Sequence, residues 1–424
     1  MTSLHRSQPP IFPVNAGINI PAELFSLKNG IPLFIIDAGT EDVTRIEFVF
    51  RAGIVYETIP LVATSTNMML SEGTMNYTAE ELNSILDYYG VFLNLSAEKD
   101  TAGVTIYFLN KYIEKVLELM NEILFHPAFS ERELDTMLKK RLSWYRINKQ
   151  KVQNLATDNF FESVFGSNHP YGHQVKESDF EVVKSSLLRE FHSRYYNPQG
   201  MTVIVSGKIH EKTITLFEHY FGELHFENNS PTDFDVPIKG SSEKKMFTEK
   251  KGALQTSVRI GSATINKRHP DYPGLKILNV ILGGYFGSRL MKNIREEKGY
   301  TYGIHSSVTS LNLSGFKIIS TEVGKKYTRK TAGEIYKEIR LLQTLPVPED
   351  ELEVVRNYMS GEMIRMFDGP FALAESFKSV WEFGLGNNYF LNFMDTIRTI
   401  TSDEIIRLAQ LYYNIDDLYE ITAG

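Results

Sequence analysis

The sequence predicts an α+β protein built from two homologous repeats, and three observations lead to that fold class. The chain has 424 residues, of which 42% are hydrophobic and 23% charged, a composition typical of folded proteins with more than one domain. Helix-like and strand-like patterns alternate along its first half. Two segments of the second half also repeat segments of the first at a nearly constant distance. Together these observations indicate that one α+β unit has been duplicated.

The duplication is clearest at the ends of the two halves. Residues 195–207 read YYNPQGMTVIVSG and residues 412–424 read YYNIDDLYEITAG, so the frame Tyr-Tyr-Asn, nine residues, Gly recurs at an offset of 217. Residues 129–140, FSERELDTMLKK, correspond to residues 347–358, VPEDELEVVRNY, at an offset of 218. Two matches at one spacing favour an internal duplication over two similar helix starts.

This duplication divides the chain into three parts. We predict an N-terminal α+β repeat over residues 1–226, a linker over residues 227–252 and a C-terminal α+β repeat over residues 253–424. The linker stretch, ENNSPTDFDVPIKGSSEKKMFTEKKG, is polar and rich in Ser, Pro, Gly and Lys, which is typical of a connection between domains.

The elements of the first repeat follow from local patterns. Residues 46–50 and 104–108 alternate with the period of a β-strand. Thr78 and Glu81 form a capping box ahead of an apolar helical stripe, and Gly90 ends that helix. A second helix extends from about residue 113 to just before Pro127, and a third begins at the box Ser130-x-x-Glu133.

Composition and charge exclude several functions. With 45 basic and 52 acidic residues the net charge is −7, which argues against binding nucleic acid as the main activity. No run approaches 18 apolar residues and prolines interrupt the N-terminus, so we expect neither a membrane span nor a secretion signal. We therefore expect a cytoplasmic protein, or a periplasmic one if the natural N-terminus differs. The chain has no cysteine, so a metal would have to use His, Asp or Glu.

The histidines do not form a recognisable metal motif. Neither His-Glu-x-x-His nor His-x-x-Glu-His occurs in the sequence. His169 and His173 have helical spacing, but the proline and glycine between them predict a turn instead of a shared helix face. The isolated His126, His192 and His305 are more typical of core or surface positions than of ligands.

A glycine-rich segment in the second half is the other candidate. Residues 282–290 read LGGYFGSRL and are followed by MKNIREEKGYTYG. The spacing matches no phosphate-binding fingerprint, although the glycine backbone could contact a substrate. A helix ending near Lys298, with Gly299 as its cap and a strand from Tyr300, would bring Arg295 towards Tyr302. From the residues alone, that arginine could equally complement the helix dipole and that tyrosine could pack in a sheet.

Combined with the duplication, this segment resembles the insulinase/pitrilysin metallopeptidase family, in particular its short bacterial members and the mitochondrial processing peptidase subunits. The resemblance covers nearly the whole chain. It rests on the Asn-His-Pro-Tyr-Gly stretch at residues 168–172 and on Gly283, Gly284, Ser288-Arg289-Leu290, Arg295 and Tyr302. It implies that each repeat is a mostly antiparallel sheet with helices packed on one face.

The chain departs from the family at the zinc motif. Counting back from Gly73-Thr74, the two histidine positions of His-x-x-Glu-His fall on Thr64 and Met68, and the glutamate position falls on Asn67. The third zinc ligand, a glutamate, is expected around residues 143–144, which are Ser143 and Trp144, yet residues 136–157 contain no Asp or Glu. These residue types are unsuited to zinc binding and to accepting a proton. The resemblance thus implies that this chain binds no metal or other cofactor.

The resemblance implies a subunit lacking the zinc motif. Such a chain would pair with a homologous zinc-bearing subunit in a heterodimeric peptidase that cleaves peptides, and would be inactive alone. Arg295 and Tyr302 would contact the substrate and stabilise its oxyanion, while Gly283 and Gly284 would help to bind the peptide. A homodimer is also compatible with the sequence. The alternative function is a catalytically inactive structural or peptide-binding protein of the same family.

Overall fold

The computed structural model describes residues 19–224, 236–386 and 388–424. Residues 227–235 of the predicted linker lie outside these ranges. None of the helices in the described ranges is both long and apolar enough to cross a membrane.

The strands form two sheets, one in each half of the chain. The first sheet has the spatial order β1-β2-β6-β3-β5-β4 and the second has the order β7-β11-β8-β10-β9. The strands of the first sheet are β1 (Ala22–Ser26), β2 (Pro32–Asp37), β3 (Val43–Phe50), β4 (Phe92–Ala97), β5 (Ala102–Leu109) and β6 (Met201–Gly207). Those of the second are β7 (Lys245–Thr248), β8 (Gln255–Thr264), β9 (Ile304–Ser310), β10 (Gly315–Gly324) and β11 (Tyr419–Ala423).

The two sheets have the same topology. β2 pairs parallel with β6, as β7 pairs parallel with β11. β3 pairs antiparallel with β6 and β5, as β8 pairs with β11 and β10. β4 and β9 are the corresponding edge strands, and β1 is an addition to the first sheet. The predicted fold class, two repeats with mostly antiparallel sheets, is confirmed.

The helices follow the same repeat. Those of the first half are α1 (Val62–Met69), α2 (Ala79–Tyr89), α3 (Ile113–Phe125), α4 (Glu131–Asn148), α5 (Val152–Phe165), α6 (Asp179–Val182), α7 (Ser185–Tyr195) and α8 (Lys212–Phe221). Those of the second are α9 (Tyr272–Asn279), α10 (Thr328–Thr344), α11 (Glu349–Arg365), α12 (Gly369–Trp381), α13 (Asn388–Thr399) and α14 (Ser402–Tyr412). Two π-helical segments, Val280–Gly284 and Met291–Glu297, lie between α9 and β9.

Each half contains one helix that packs on the sheet of the other half. α5 belongs to the first half but packs on β8 and β11 of the second sheet, where the Phe161 and Phe316 rings lie 5.0 Å apart. α12 belongs to the second half but packs on β2 and β6 of the first sheet, where the Phe34 and Phe377 rings lie 4.7 Å apart. α5 and α12 occupy equivalent places in the repeat, so the exchange is reciprocal.

This exchange buries both faces of the first sheet. Helices of the first half cover one face, where Ile46, Phe48 and Phe50 of β3 join their core. Val49 of β3 and Ile204 of β6 point the other way and join the core that contains α12. The prediction of helices on one face therefore describes what each repeat contributes, while the opposite face is covered by the other repeat.

The face beneath α12 contains buried charges. On β3, Arg45 is 1% exposed and Glu47 is 3% exposed, and the Arg45 Nη2 donates to the Glu47 Oε2 at 2.6 Å. From α12, Lys378 donates to Glu47 at 2.5 Å and Glu375 accepts from Arg45. Opposite charges from both halves thus pair with one another, as burial of ionised groups requires.

Several local predictions can be compared with the structure. The Thr78–Glu81 capping box is confirmed, and Gly90 has the left-handed φ of 62° that ends the helix. Ser130 stands at the start of α4, but its side chain makes no capping hydrogen bond, so the second box is wrong. β7 lies inside the predicted linker and pairs with β11, so part of that stretch belongs to the second sheet. The division at residues 226 and 253 stays a prediction.

Candidate functional site

The three residues aligned with the zinc motif lie on α1, beside β5. Asn67 is 1% exposed, and its Nδ2 donates to the Gly103 carbonyl at 3.3 Å and to the Tyr196 hydroxyl at 3.1 Å. Met68 is 40% exposed and points away from that interior. Burial raises the pKa of Tyr196, which therefore keeps its proton at neutral pH. Asn67 is thus held by the protein core and is not free to act on a substrate.

Arg141 of α4 closes this region. Its Nη2 donates to the Thr64 Oγ1 at 2.8 Å and its Nη1 donates to the Ser65 Oγ at 2.7 Å. The third zinc position was predicted around Ser143 and Trp144, but Trp144 is 65% exposed and Ser143 donates back to its own helix. The residue that α4 presents to α1 is therefore the arginine two positions earlier, and sequence counting missed it.

Glu57 adds a carboxylate to the same cluster. Its Oε2 accepts the amide of Ala63 in the first turn of α1 at 2.9 Å. Burial raises the pKa of Glu57 to about 7. Hydrogen bonds from the Ala63 and Leu61 amides and the charges of Lys99 and Arg141 oppose this shift. Burial likewise lowers the pKa of Arg141, and the Glu57 charge opposes that change. We call Glu57, Thr64, Ser65, Asn67 and Arg141 the closed cluster.

The closed cluster does not fit zinc. Its polar groups on α1 are two hydroxyls and an amide, and none of them replaces imidazole at that metal. A guanidinium, which stays protonated in proteins, lies within hydrogen-bonding distance of Thr64 and would repel a cation. Across the described ranges, no group of three or more His, Asp or Glu side chains is arranged to hold a metal ion.

The second candidate region is an open cavity of about 590 Å³ at one end of the second sheet. Its lining includes Gln255, Arg295, Tyr300, Tyr302 and Tyr327, and we call it the Arg295 cavity. The Tyr300 and Tyr327 rings stack at 4.5 Å and form part of its wall. The structure therefore brings together the Arg and Tyr that the sequence singled out.

The exposure of Tyr302 and Arg295 does not match a tyrosine packed in a sheet or an arginine buried in the core. Tyr302 is 94% exposed and precedes β9, which starts at Ile304, so the predicted strand start at Tyr300 is wrong. Gly299 takes the left-handed φ of 62° expected of a helix cap. The Arg295 guanidinium lies 4.7 Å from the centre of the Phe286 ring, and the side chain is 34% exposed. Neither side chain is buried in the hydrophobic core.

Gly283 and Gly284 end a π-helical segment and are not among the residues that line the Arg295 cavity. A Cβ at Gly283 would stand 2.7 Å from the Cβ of Ser306 in β9, so this position requires glycine because the segment packs closely on the sheet. A Cβ at Gly284 would stand 3.2 Å from the Asn279 carbonyl oxygen. Close packing on β9 therefore accounts for glycine at position 283 without any contact to a substrate.

His169 and His192 take structural positions. His169 is 2% exposed, and its Nδ1 accepts the amide of Tyr171 at 3.1 Å within the predicted turn. The Tyr171 hydroxyl donates to the Asp100 carboxylate. The same carboxylate accepts the Asn312 amide of the second half at 2.8 Å. Burial lowers the pKa of His192 to about 4, so its ring is neutral and belongs to the core.

Comparison with known proteins assigns both halves to one family. Residues 35–176 match the family described as Insulinase (Peptidase family M16), and residues 183–359 match the Peptidase M16 inactive domain. The chain therefore belongs to the M16 peptidase family. The match to the domain named inactive begins near the end of the first half, at residue 183, and ends within the second half, at residue 359.

Individual relatives carry contrasting names. The "Uncharacterized zinc protease YmxG" of Bacillus subtilis is 23% identical over 344 residues, which cover 80% of this chain and 83% of the relative. The "Non-peptidase homolog YmxG" of Helicobacter pylori is 21% identical over 357 residues, covering 82% and 81%. A crystal structure of a peptidase M16 inactive domain from Pseudomonas fluorescens matches with a TM-score of 0.87 at 21% identity, covering 95% of this chain and 98% of that one.

Proposed function

We propose that this chain is the subunit without zinc in a heterodimeric M16 peptidase and that Arg295 and Tyr302 contact the substrate peptide. The observation that carries the proposal is the Arg295 cavity, where both side chains border one open space and Tyr302 is 94% exposed. A tyrosine retained only for stability would bury its ring, because most of its stabilising effect comes from removing apolar area from water.

The two side chains suit the stabilisation of negative charge. Hydrolysis of an amide places negative charge on the carbonyl oxygen, and fixed donors aimed at that oxygen lower the barrier. The Tyr302 hydroxyl can donate one hydrogen bond, and the Arg295 guanidinium donates while remaining charged at any working pH. The cation–π contact with Phe286 limits the conformations of the arginine. A second chain would provide the zinc and the base.

The proposal can be tested with Tyr302→Phe in a reconstituted enzyme. The purified chain is mixed with a homologous chain that contains His-x-x-Glu-His, and hydrolysis of a fluorogenic peptide is measured. Loss of the hydroxyl should lower kcat by about 10²–10³-fold, the usual effect of removing one oxyanion donor, with little change in KM.

Tyr88→Phe is the matched control, because Tyr88 is also exposed, at 79%, but lies on α2 of the first half. It should leave kcat unchanged. Equal activities of wild type and Tyr302→Phe would contradict the role of the hydroxyl.

A structural or peptide-binding protein without catalytic duty is the second candidate. The closed cluster favours it, since Arg141 and Asn67 donate hydrogen bonds to neighbouring groups of the same chain. Affinity capture from native extract separates the candidates. A captured chain of similar size with His-x-x-Glu-His would support the subunit proposal, whereas a homodimer or an unrelated assembly would support the second candidate.

A further inference from the structure

A set of cations surrounds the Arg295 cavity. Lys325 and Lys326 lie in the turn that follows β10, and Arg329 and Lys330 lie in the first turn of α10. The turn between β7 and β8 adds Lys250 and Lys251. All six side chains are exposed or half-buried. We call these six residues the basic rim.

The sheet register places the basic rim next to the cavity. Gln255 at the start of β8 pairs with Gly324 at the end of β10, so the two turns lie at the same end of the sheet. Gln255 lines the Arg295 cavity and also lines a neighbouring open groove of about 520 Å³, together with Lys250, Lys251 and the 90%-exposed Leu254. A bound chain can therefore pass from one to the other across Gln255.

In the part of the chain that the structure describes, the basic rim has no acidic partner. Within residues 19–224, 236–386 and 388–424, none of the six cations lies within 4.0 Å of a carboxylate. Lys250 donates to the neutral side chain of Gln150, and the Lys326 Nζ stands 4.8 Å from the centre of the Tyr327 ring. The acidic residues nearest to the rim in sequence are Glu249, Glu322 and Glu334, and the last two are paired with Arg259 and Lys298. Glu296 lines the cavity 3.8 Å from Arg295, so positive charge still predominates around the cavity in a chain of net charge −7.

The duplication offers an internal comparison. Residues 110–115, NKYIEK, occupy the equivalent turn and helix start in the first half, whereas residues 325–330 read KKYTRK. The first segment has two cations and one carboxylate, and Lys115 is paired with Glu118 at 2.8 Å. The second has four cations and no carboxylate. The added charge is thus specific to the half that carries Arg295 and Tyr302.

This charge does not stabilise the fold. The first turn of α10 has no acidic residue, while the first turn of α3 has Glu114. Cations near a helix N-terminus oppose the helix dipole and destabilise the helix. Arg329 and Lys330 therefore weaken α10, and a role outside folding accounts for their presence.

We propose that the basic rim binds acidic side chains of the peptides that enter the Arg295 cavity. The chain would then favour substrates with Asp or Glu next to the segment held by Arg295 and Tyr302. The inference rests on the proposed function in placing a peptide in that cavity, but it concerns binding by this chain alone. Electrostatic attraction of this kind raises the association rate and weakens as salt screens it.

The test is fluorescence anisotropy with the full chain and no partner. Three fluorescein-labelled peptides of equal length alternate Ala with Glu, Gln or Lys. The Glu peptide should bind best and should lose affinity as NaCl is raised. Reversing four charges, in Lys325→Glu/Lys326→Glu/Arg329→Glu/Lys330→Glu, should weaken its binding by about 10-fold or more.

A matched variant reverses charge elsewhere. Lys184→Glu/Lys212→Glu changes exposed lysines of the first half and should leave binding unchanged. Thermal melts supply a readout that a structural role would not give, because Arg329→Glu/Lys330→Glu should raise Tm while it lowers binding. Equal binding of the three peptides, or binding unaffected by the rim variant, would overturn the proposal. Tighter binding of a short DNA strand than of the Glu peptide would overturn the peptide class.

This experiment is independent of catalysis. Suppose that Tyr302→Phe does not change peptide hydrolysis by the reconstituted enzyme, but the rim variant still binds the Glu peptide more weakly than the wild type. The catalytic proposal then fails and the binding proposal stands. If the rim variant binds as the wild type while Tyr302→Phe is inactive, the reverse conclusion holds.

Discussion

The two halves of this protein share a sheet topology but differ in how their polar residues are used. In the first half, Thr64 and Asn67, two of the three residues aligned with the zinc motif, bond to Arg141 and Tyr196 of the same chain. In the second half, Arg295 and Tyr302 border an open cavity, and in the described ranges no cation of the basic rim lies within 4.0 Å of a carboxylate. One repeat thus bonds these polar groups within the chain, while the other leaves its own at the border of an open cavity.

The strongest test of this comparison is to separate the halves. Residues 1–226 and residues 227–424, cut according to the predicted boundaries, should each fail to show a cooperative thermal transition. The first fragment lacks α12, which covers Phe34 and Ile204, and the second lacks α5, which packs on β8 and β11. Mixing the fragments should restore the transition, measured by circular dichroism.

A chain cleaved after folding serves as the control for the fragments. With a protease site inserted among residues 227–235, the nicked protein should stay associated and melt close to the uncut chain. A cooperative melt by residues 1–226 alone would show that the exchange is not needed for folding.

The next test converts the closed cluster into a metal site. Thr64→His/Asn67→Glu/Met68→His should acquire little zinc, because Arg141 still places a cation at residue 64. Adding Arg141→Glu removes that charge and supplies a third ligand, so the fourfold variant should bind about one zinc per chain, in keeping with three-ligand zinc sites. Equilibrium dialysis followed by elemental analysis measures the difference.

Both variants must first be shown to melt cooperatively, so that failure to bind zinc is not failure to fold. Equal zinc content in the threefold and fourfold variants would contradict the blocking role assigned to Arg141.

The smallest expected effect concerns Glu57 and pH. Since burial raises its pKa from 4.5 to about 7, the folded chain holds a proton that the unfolded chain has lost between these values. Stability from this group is therefore present below pH 4.5 and lost as pH rises through 7. Glu57→Gln keeps an acceptor for the Ala63 amide and cannot ionise. As pH rises, the free energy of unfolding of this variant should therefore fall by about 1–3 kcal/mol less than that of the wild type.

Urea unfolding of wild type and Glu57→Gln at pH 5 and pH 8 measures this change. The variant should gain stability relative to wild type only at the higher pH. Glu114→Gln, on the first turn of α3, is the control and should show no such gain. A constant difference between wild type and Glu57→Gln would mean that Glu57 titrates normally.

Local chemistry made part of this architecture predictable. The Tyr-Tyr-Asn frame revealed the duplication because each copy ends a helix and leads into a central strand, α7 to β6 and α14 to β11. The Thr78 capping box and Gly90 were readable because their contacts are local. Arg295 and Tyr302 were identified by spacing and resemblance, and their shared cavity follows from a turn between them.

Contacts between distant segments were not predictable in the same way. The apolar face of α12 indicates burial but not the sheet of the other half as its partner. Arg45 and Glu47 alternate with apolar residues on β3, a pattern typical of a solvent-exposed face, yet Lys378 and Glu375 of α12 bury them. Arg141 was missed because the expected ligand spacing is approximate and pointed to residues 143–144, which begin two positions after the arginine.

The exchange of α5 and α12 also sets an order of events during synthesis. The last strand of the first sheet ends at residue 207, but α12, which covers one face of that sheet, ends at residue 381. At ribosomal rates of about 5–20 residues per second, that face stays uncovered for roughly 10–35 s. The nascent chain therefore exposes Phe34, Val49 and Ile204 during this interval, when uncovered apolar surface favours aggregation, and the first repeat is completed only when the second is nearly finished.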